Sequence, residues 1–359
     1  MNITIVGAGN IGTQFAVHCA KKHHNVILFG SKPEKINKRL VIVDEHNNII
    51  HEGNIKDATS DAKEAFENAD VIFVTMPAFC MDDIANKILP YARKGMKIGI
   101  IPGTGGGECA FKPCIERGCV LFGLQRVPSV ARLVNYGKVV CATGYRKELY
   151  VATLPQQYTR ECCNFIEEIF DMSCLMLPNY LNLTLTPSNP ILHTTRLRTL
   201  FKDYKEGKVY NKLPLFYENW DNETSELLLK CDDEVQKICA NLKEFDLSFV
   251  KSLKEHYESN TAQELTDKIS SISSFKGLKT PSLHVENGEI PDFSSRYFTA
   301  DFSYGLMAIR QIASLTETNV NNIKKTLDWY FDLKKYNSVF DYRKYGIKDR
   351  KQLVEFYQK

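Results

Sequence analysis

Gly7-Ala8-Gly9-Asn10-Ile11-Gly12 lies directly behind a short β-rich run, Asn2–Val6, and directly ahead of a stretch of helical texture, Thr13–Lys22. Few local patterns restrict a fold as strongly. The first glycine permits a tight turn, the second lets a pyrophosphate approach the main chain, and the third lets helix and strand pack closely. Free N–H groups and the dipole at the helix start then favour negative charge. A lone G-x-G-x-x-G can also be an ordinary glycine turn. Its position between a strand and a helix makes Gly7, Ala8, Gly9, Asn10, Ile11 and Gly12 a dinucleotide-binding turn.

The rest of the first half fits that start. Apolar β-rich runs at Ile3–Val6, Val26–Phe29, Val71–Thr75, Ile98–Ile101 and Val120–Phe122 alternate with helical stretches, the signature of a parallel sheet with crossover helices. From Ser129 to Leu154 the runs are separated by the turn signals Asn135-Tyr136-Gly137 and Gly144-Tyr145-Arg146, which predict antiparallel strands added to the same sheet. Beyond Asn179 the texture is helical. Leu228, Cys231, Val235, Ile238 and Leu242 share one helix face, and Val320, Ile323, Leu327 and Tyr330 another; both stripes read as helix packing. Ser259–Glu289, polar and broken by Gly and Pro, is expected to contain a mobile loop near the site. A chain of 359 residues exceeds one ordinary core. The expectation is an α/β Rossmann domain over residues 1–178 (a parallel sheet with added antiparallel strands) followed by an all-α domain over 179–359 that completes the active site.

Composition excludes several alternatives. Lys plus Arg at 46 against Asp plus Glu at 43 leaves a formal charge of +3, too balanced for a nucleic-acid surface, so the partner is a small molecule. The 11 cysteines are dispersed, Cys162-Cys163 is badly placed for a bridge, and Cys109, Cys114 and Cys119 lack C-x-x-C spacing. They read as reduced, mostly buried thiols, with no metal site. The chain shows no signal-peptide pattern and no apolar run of about 18 residues, so no membrane role is expected and the cytoplasm is the expected compartment. A homodimer is compatible with all of this.

The second strand ends near Phe29-Gly30, where an NAD enzyme usually carries an acidic residue for the ribose hydroxyls. Here Ser31-Lys32 follows, and Lys35, Lys38 and Arg39 add further positive charge where a 2′-phosphate would lie. The expected cofactor is NADP(H) by preference, with NAD(H) as the alternative. Met76-Pro77-Ala78 and Pro102-Gly103-Thr104 sit at the carboxyl ends of later strands and belong to the same pocket. Gly105-Gly106-Gly107 either opens a helix near the nicotinamide or is a plain connection.

In the second half, Ser188, Asn189 and Pro190 mark a helix start, which puts His193 in the first turns. A helical His alone is more often structural than catalytic. Arg296-Tyr297-Phe298-Thr299-Ala300-Asp301 places an Arg and an Asp five residues apart ahead of a helix running to Ile312, with Asp301 as a candidate N-cap.

With these segments the chain resembles the opine dehydrogenases, the octopine/nopaline dehydrogenase family. The resemblance is carried by the glycine turn, Phe122-Gly123-Leu124-Gln125, Leu149-Tyr150-Val151-Ala152-Thr153-Leu154-Pro155, Asn189-Pro190-x-x-His193, and Arg296 through Leu306, and so spans about residues 1–310. It implies reductive condensation of an amino acid's α-amine with a 2-oxo acid such as pyruvate, and the reverse oxidation. It also implies His193 as general acid/base, Asp301 as the group fixing its tautomer, and Arg296 as the clamp on the 2-oxo acid carboxylate. Those residue types suit the chemistry: His titrates near neutrality, a carboxylate orients its ring, and an Arg fork matches a carboxylate. Gln125 is a weaker candidate for substrate contact. Trp220, Tyr257, Phe275, Tyr297 and Tyr304 are the open candidates for the amine side. Two other readings stand beside this one: a ketopantoate-reductase-like or hydroxyacid dehydrogenase, whose helical-domain Lys the His-Asp-Arg set replaces here, and a non-catalytic NADP(H)-sensing protein.

Overall fold

The computed structural model describes every residue except Thr104, Ser188 and 335–337, so the helix start assigned to Ser188 and the last residue of the Pro102-Gly103-Thr104 turn lie outside the described residues. Two compact units emerge, Met1–Leu183 together with Glu355–Lys359, and Thr184–Val354. The chain end thus packs with the first unit instead of the second. There the Tyr357 hydroxyl donates to buried Glu108 at 2.6 Å, and Gln156 N–H donates to the Lys359 carbonyl at 2.9 Å.

In the first unit, β1 (Asn2–Val6), β2 (Asn25–Phe29), β3 (Arg39–Val43), β4 (Ile49–Asn54), β5 (Asp57–Thr59), β6 (Val71–Val74), β7 (Lys97–Ile100), β8 (Val120–Leu124), β9 (Val130–Asn135), β10 (Val139–Thr143), β11 (Glu148–Leu154) and β12 (Ser173–Met176) form two sheets. The larger has the order β12-β11-β8-β7-β6-β1-β2-β5, every pairing parallel except β11 with β8. Its central strands are buried apart from Asn2 at the start of β1, as a parallel sheet covered on both faces requires. Strand order reverses beside β1, so the glycine turn stands at the switch point of the sheet.

Helices α1 (Asn10–Lys21), α2 (Ala62–Phe66), α3 (Met81–Ile88), α4 (Lys112–Glu116) and α5 (Thr159–Phe170) belong to the same unit. Only β11 joins the main sheet as expected of the Ser129–Leu154 region. β9 and β10 pair instead with β3 and β4 in the order β4-β3-β10-β9. The cause lies in α1, which is buried along nearly its whole length. One face packs on the main sheet through Phe15, whose ring meets Phe73 at 5.1 Å, and the other face needs a second apolar cover. The run Leu40–Val43, buried throughout, supplies it. Gly53 lets β4 lie against α1, because a Cβ there would meet the Ala20 Cβ and the Val17 carbonyl at 2.8 Å. All 11 cysteines are free and most are buried.

A short helix, α6 (Leu181–Thr184), leads into the second unit, which is built on α7 (Asn189–Leu200), α8 (Asn222–Asn241), α9 (Leu253–Tyr257), α10 (Ala262–Ser271), α11 (Arg296–Thr299), α12 (Met307–Leu315) and α13 (Asn321–Leu333). Both predicted stripes are core. The unit is helical with one hairpin, β13 (Ser282–Val285) with β14 (Gly288–Pro291). Within Ser259–Glu289 the structure places α10 and the hairpin, with an irregular connection between them. Thr261 caps α10, which buries Leu265, Thr266 and Ile269, and only its outer face is polar. Among the described residues no helix is long and apolar enough to cross a membrane.

One buried carboxylate in this unit works against stability. Asp232 on α8 accepts the Leu253 N–H at 2.7 Å, and burial raises its pKa to about 6. An acid whose folded pKa lies above its unfolded value costs no stability well below the unfolded value, and progressively more as pH rises through it towards the folded one. Asp232→Asn keeps an acceptor for Leu253 without the charge. Its unfolding free energy, from chemical denaturation, is expected to match wild type at pH 3 and to exceed it by about 1–3 kcal/mol at pH 7.5. A variant less stable than wild type at pH 7.5 contradicts this account.

Candidate active site

The glycine turn divides its work as the spacing requires. Gly7 sits at φ +104° and donates to the Phe29 carbonyl at 2.9 Å, which ties the end of β1 to β2. A Cβ on Gly12 would stand 1.7 Å from the Gly7 carbonyl oxygen, so α1 can approach the turn only if Gly12 has no side chain. A Cβ on Gly9 would meet nothing within 4 Å. Gly9 is also the N-cap of α1 and no side chain caps that end. An open main-chain surface over an uncapped helix start fits a pyrophosphate. Ala8 and Ile11 pack into or against the core. The Asn10 side chain accepts the Leu133 N–H at 2.9 Å and so ties β9 to the head of α1.

Ser31 and Lys32 are exposed just beyond β2. The basic group is smaller than its sequence suggests. Arg39 is the first residue of β3 and pairs with Glu52, and Lys38 lies 3.8 Å from Asp57. Lys32 and Lys35 are exposed and have no acidic partner among the described residues. Met76 packs against the turn, its Sδ 2.9 Å from where a Gly7 Cβ would be, and Pro77 begins the next turn. Gly103, after Pro102, donates to the Leu124 carbonyl at 2.8 Å. A Cβ on Gly103 would stand 3.0 Å from Gly123 Cα and 2.9 Å from Leu183 Cδ1, so close packing accounts for this glycine. Gly106, in the left-handed region at φ +76°, precedes a 3-10 turn from Gly107 to Phe111 that leads into α4, so the glycine run does open a helix. Gln125 is buried just past β8, with Nε2 3.4 Å from the Asn182 carbonyl.

In the second unit His193, on α7, is only 5% exposed. Its Nδ1 lies 2.7 Å from Asp301 Oδ2 and its Nε2 2.7 Å from the Tyr217 hydroxyl. Phe216 meets the ring edge-on at 5.6 Å and Tyr297 covers it at 4.3 Å. The approach of Asp301 to His193 has a backbone cause. Ser295 caps α11, and residues Asp301–Leu306 form a π-helical segment that continues into α12. The expected cap role of Asp301 is thereby corrected: the helix is already under way, and the carboxylate turns to His193. Gly305 in that segment faces Pro190 of α7, where a Cβ would come within 2.6 Å of the proline ring, so the two elements meet closely enough for the pair to form. Arg296 is exposed, its guanidinium 5.9 Å from the Tyr297 ring, with no carboxylate partner among the described residues.

Two residues of this cluster escaped sequence reasoning. Tyr217 belongs to an irregular segment with no local pattern. Arg196, one turn after His193, is completely buried; its Nε donates to the Phe216 carbonyl at 3.0 Å, its Nη1 pairs with Asp221, and its Nη2 donates to the Asn219 carbonyl. Burial depresses the Arg196 pKa while Asp221 opposes the shift. Arg196 thus fixes the segment that carries Tyr217. The H-x-x-R spacing on a helix was the available signal.

Two halves of a nicotinamide-dependent oxidoreductase are thus on hand, a dinucleotide turn and a buried His-carboxylate pair. Residues 2–103 match the N-terminus of NAD-dependent glycerol-3-phosphate dehydrogenase, and residues 176–333 match the alpha-helical domain of NAD/NADP octopine/nopaline dehydrogenase. An octopine dehydrogenase from Mizuhopecten yessoensis is 25% identical over 84% of this chain and 81% of its own length. An opine dehydrogenase from Arthrobacter sp. (strain 1C) is 25% identical over 90% and 88%. The solved octopine dehydrogenase with NADH and L-arginine shares the fold, with a TM-score of 0.83 at 19% identity over 99% of this chain and 98% of that one. The family model matched over residues 176–333 and the relatives matched along most of the chain support the opine dehydrogenase family, whose members are NAD(P)-dependent oxidoreductases acting on CH–NH bonds.

Proposed function

We propose that this protein catalyses reductive condensation of an amino acid with a 2-oxo acid such as pyruvate, and the reverse oxidation, with NADP(H) preferred over NAD(H). The observation that carries the reading is the buried 2.7 Å contact between His193 and Asp301, inside the segment matched to the octopine/nopaline dehydrogenase helical domain. His193 is the general acid/base. Asp301 accepts from Nδ1, fixes the tautomer and stabilises the imidazolium. Arg296, whose guanidinium has no carboxylate partner among the described residues, binds the carboxylate of the 2-oxo acid and orients its carbonyl. When bound, the dinucleotide supplies the hydride that reduces the C=N carbon. The main chain of Gly7–Gly12 holds its phosphates, while Met76 and Pro77 line the same end of the sheet. Gln125 and Gly103 are weaker members of the site, since both are engaged in packing within their unit. The proposed setting is the cytosol, in keeping with free cysteines throughout, and a homodimer is the assembly to test.

The deciding experiment follows NADPH and NADH oxidation with pyruvate, 2-oxoglutarate or oxaloacetate crossed against a panel of amino acids, each component also alone. Turnover that needs both amine and oxo acid supports the reading. Turnover with oxo acid alone makes the protein a simple oxoacid reductase, and cofactor binding with no turnover makes it a sensor.

NADP(H) preference rests on Lys32 and Lys35, the two uncommitted cations beyond β2. Replacing both by Ala removes two charge-assisted contacts to a 2′-phosphate and is expected to raise the KM for NADPH by about 10–100-fold. The KM for NADH should move little. Equal changes for both cofactors, or comparable wild-type kcat/KM with the two, would remove the preference.

A further inference from the structure

His193 has no free ring nitrogen. Nδ1 faces the Asp301 carboxylate, so exchange of protons with a reacting molecule falls to Nε2, and Nε2 is already held by the Tyr217 hydroxyl at 2.7 Å. A phenol can donate to the lone pair of a neutral imidazole and accept from the N–H of an imidazolium, so this contact survives both protonation states of His193. The Tyr217 ring is also clamped. It stacks on Phe275 at 4.3 Å and lies nearly parallel to Trp220 at 6.0 Å, while Arg196 holds the carbonyls of Phe216 and Asn219 on either side. Tyr217 is 4% exposed. A buried ring stacked against two aromatic neighbours, in a segment fixed by Arg196, does not swing aside to bare Nε2.

We propose that Tyr217 is the proton carrier of the site, relaying protons between Nε2 of His193 and the reacting oxygen or nitrogen; the proposal rests on the opine-forming reading. In the condensing direction the Nε2 proton of the imidazolium passes to the Tyr217 oxygen as the Tyr217 hydroxyl proton passes to the carbinolamine oxygen. The C–O bond breaks with its electron pair on oxygen, water leaves, and the nitrogen lone pair closes the C=N bond. His193 ends neutral and Tyr217 ends as it began, with its proton.

Tyr217→Phe keeps the stacked ring and removes the relay. It is expected to lower kcat about 10²-fold with the KM for cofactor nearly unchanged. In single-turnover reactions run in H2O/D2O mixtures, the wild-type rate should depend on deuterium fraction along a curve, two protons moving together, and the variant along a straight line. Phe275→Leu, which loosens the stack but keeps the hydroxyl, should lower the melting temperature and keep the curve. A Tyr217→Phe kcat within about threefold of wild type overturns the relay, as does a straight wild-type dependence. Should Tyr217→Phe fail to fold, 3-fluorotyrosine at position 217 keeps the shape while making the phenol more acidic; a shifted pH–rate limb supports the relay and an unshifted one overturns it. If wild type turns over oxo acid without an amine, the opine reading fails, yet the same variants still test the relay, the proton then going to the carbonyl oxygen.

Discussion

His193→Ala is expected to lower kcat by about 10²–10⁴-fold, the usual contribution of a positioned acid/base, while the dissociation constant for NADPH changes little. The separation of the two effects is the informative part. His193 lies in the second unit and its bonded partners are Asp301 and Tyr217, both in that unit, whereas the glycine turn proposed to receive the phosphates is in the first. Loss of the imidazole therefore removes proton transfer without touching the dinucleotide cradle. Asp301→Asn should reproduce most of the defect with the ring still present. An amide can offer its N–H to Nδ1, which favours the tautomer with the proton on Nε2 and takes away the carboxylate that stabilises the imidazolium. Steady-state kinetics with saturating amine and oxo acid, alongside cofactor titration by fluorescence, separates these cases. A His193→Ala enzyme within about threefold of wild-type kcat would take the acid/base role away from His193.

What could be read from the sequence follows from which constraints are local. The glycine turn is a local device: Gly7 and Gly12 are demanded by atoms of their own short segment or of Thr75 and Met76 just past β6, Gly9 is left open, and the spacing alone exposes the set. The parallel core strands are similarly legible, because burial on both faces leaves continuous apolar runs. The second sheet was harder to read. β3 is an apolar run like the others, and nothing in its own residues says that it pairs with β10, a hundred residues on, instead of joining the main sheet; the decision is made by the second apolar face of α1. In the site, His193 and Asp301 were legible as residues through family resemblance, while their contact depends on the Gly305–Pro190 approach and on a π-helical segment that periodicity arguments do not reveal. Tyr217 left no trace, since an aromatic residue in an irregular segment acquires its role only through Arg196 and the stack around it.

Gly12→Ala is expected to damage both fold and cofactor binding, and its contrast with Gly9→Ala tests the reading of the turn. A methyl group at Gly12 would sit 1.7 Å from the Gly7 carbonyl oxygen, with the Gly7 carbonyl carbon and Thr75 Oγ1 within 2.9 Å. Main-chain atoms cannot rotate away as a side chain would, so the head of α1 must shift from β1. Overpacking of this kind costs about 1–3 kcal/mol or more. For a domain of this size that is a fall of roughly 5–10 °C in melting temperature without ligand. Cofactor affinity falls too, because the N–H groups that face the pyrophosphate move with the helix. At Gly9 the methyl meets no protein atom, so Gly9→Ala should melt within about 2 °C of wild type without ligand. It should nonetheless bind NADPH more weakly, by about tenfold or more, since the methyl fills the space through which the pyrophosphate reaches the main chain. Melting curves with and without NADPH resolve the two. If Gly12→Ala melts like wild type, the close approach of α1 to the turn is wrong; if Gly9→Ala binds NADPH as tightly as wild type, the phosphates lie elsewhere than over Gly9.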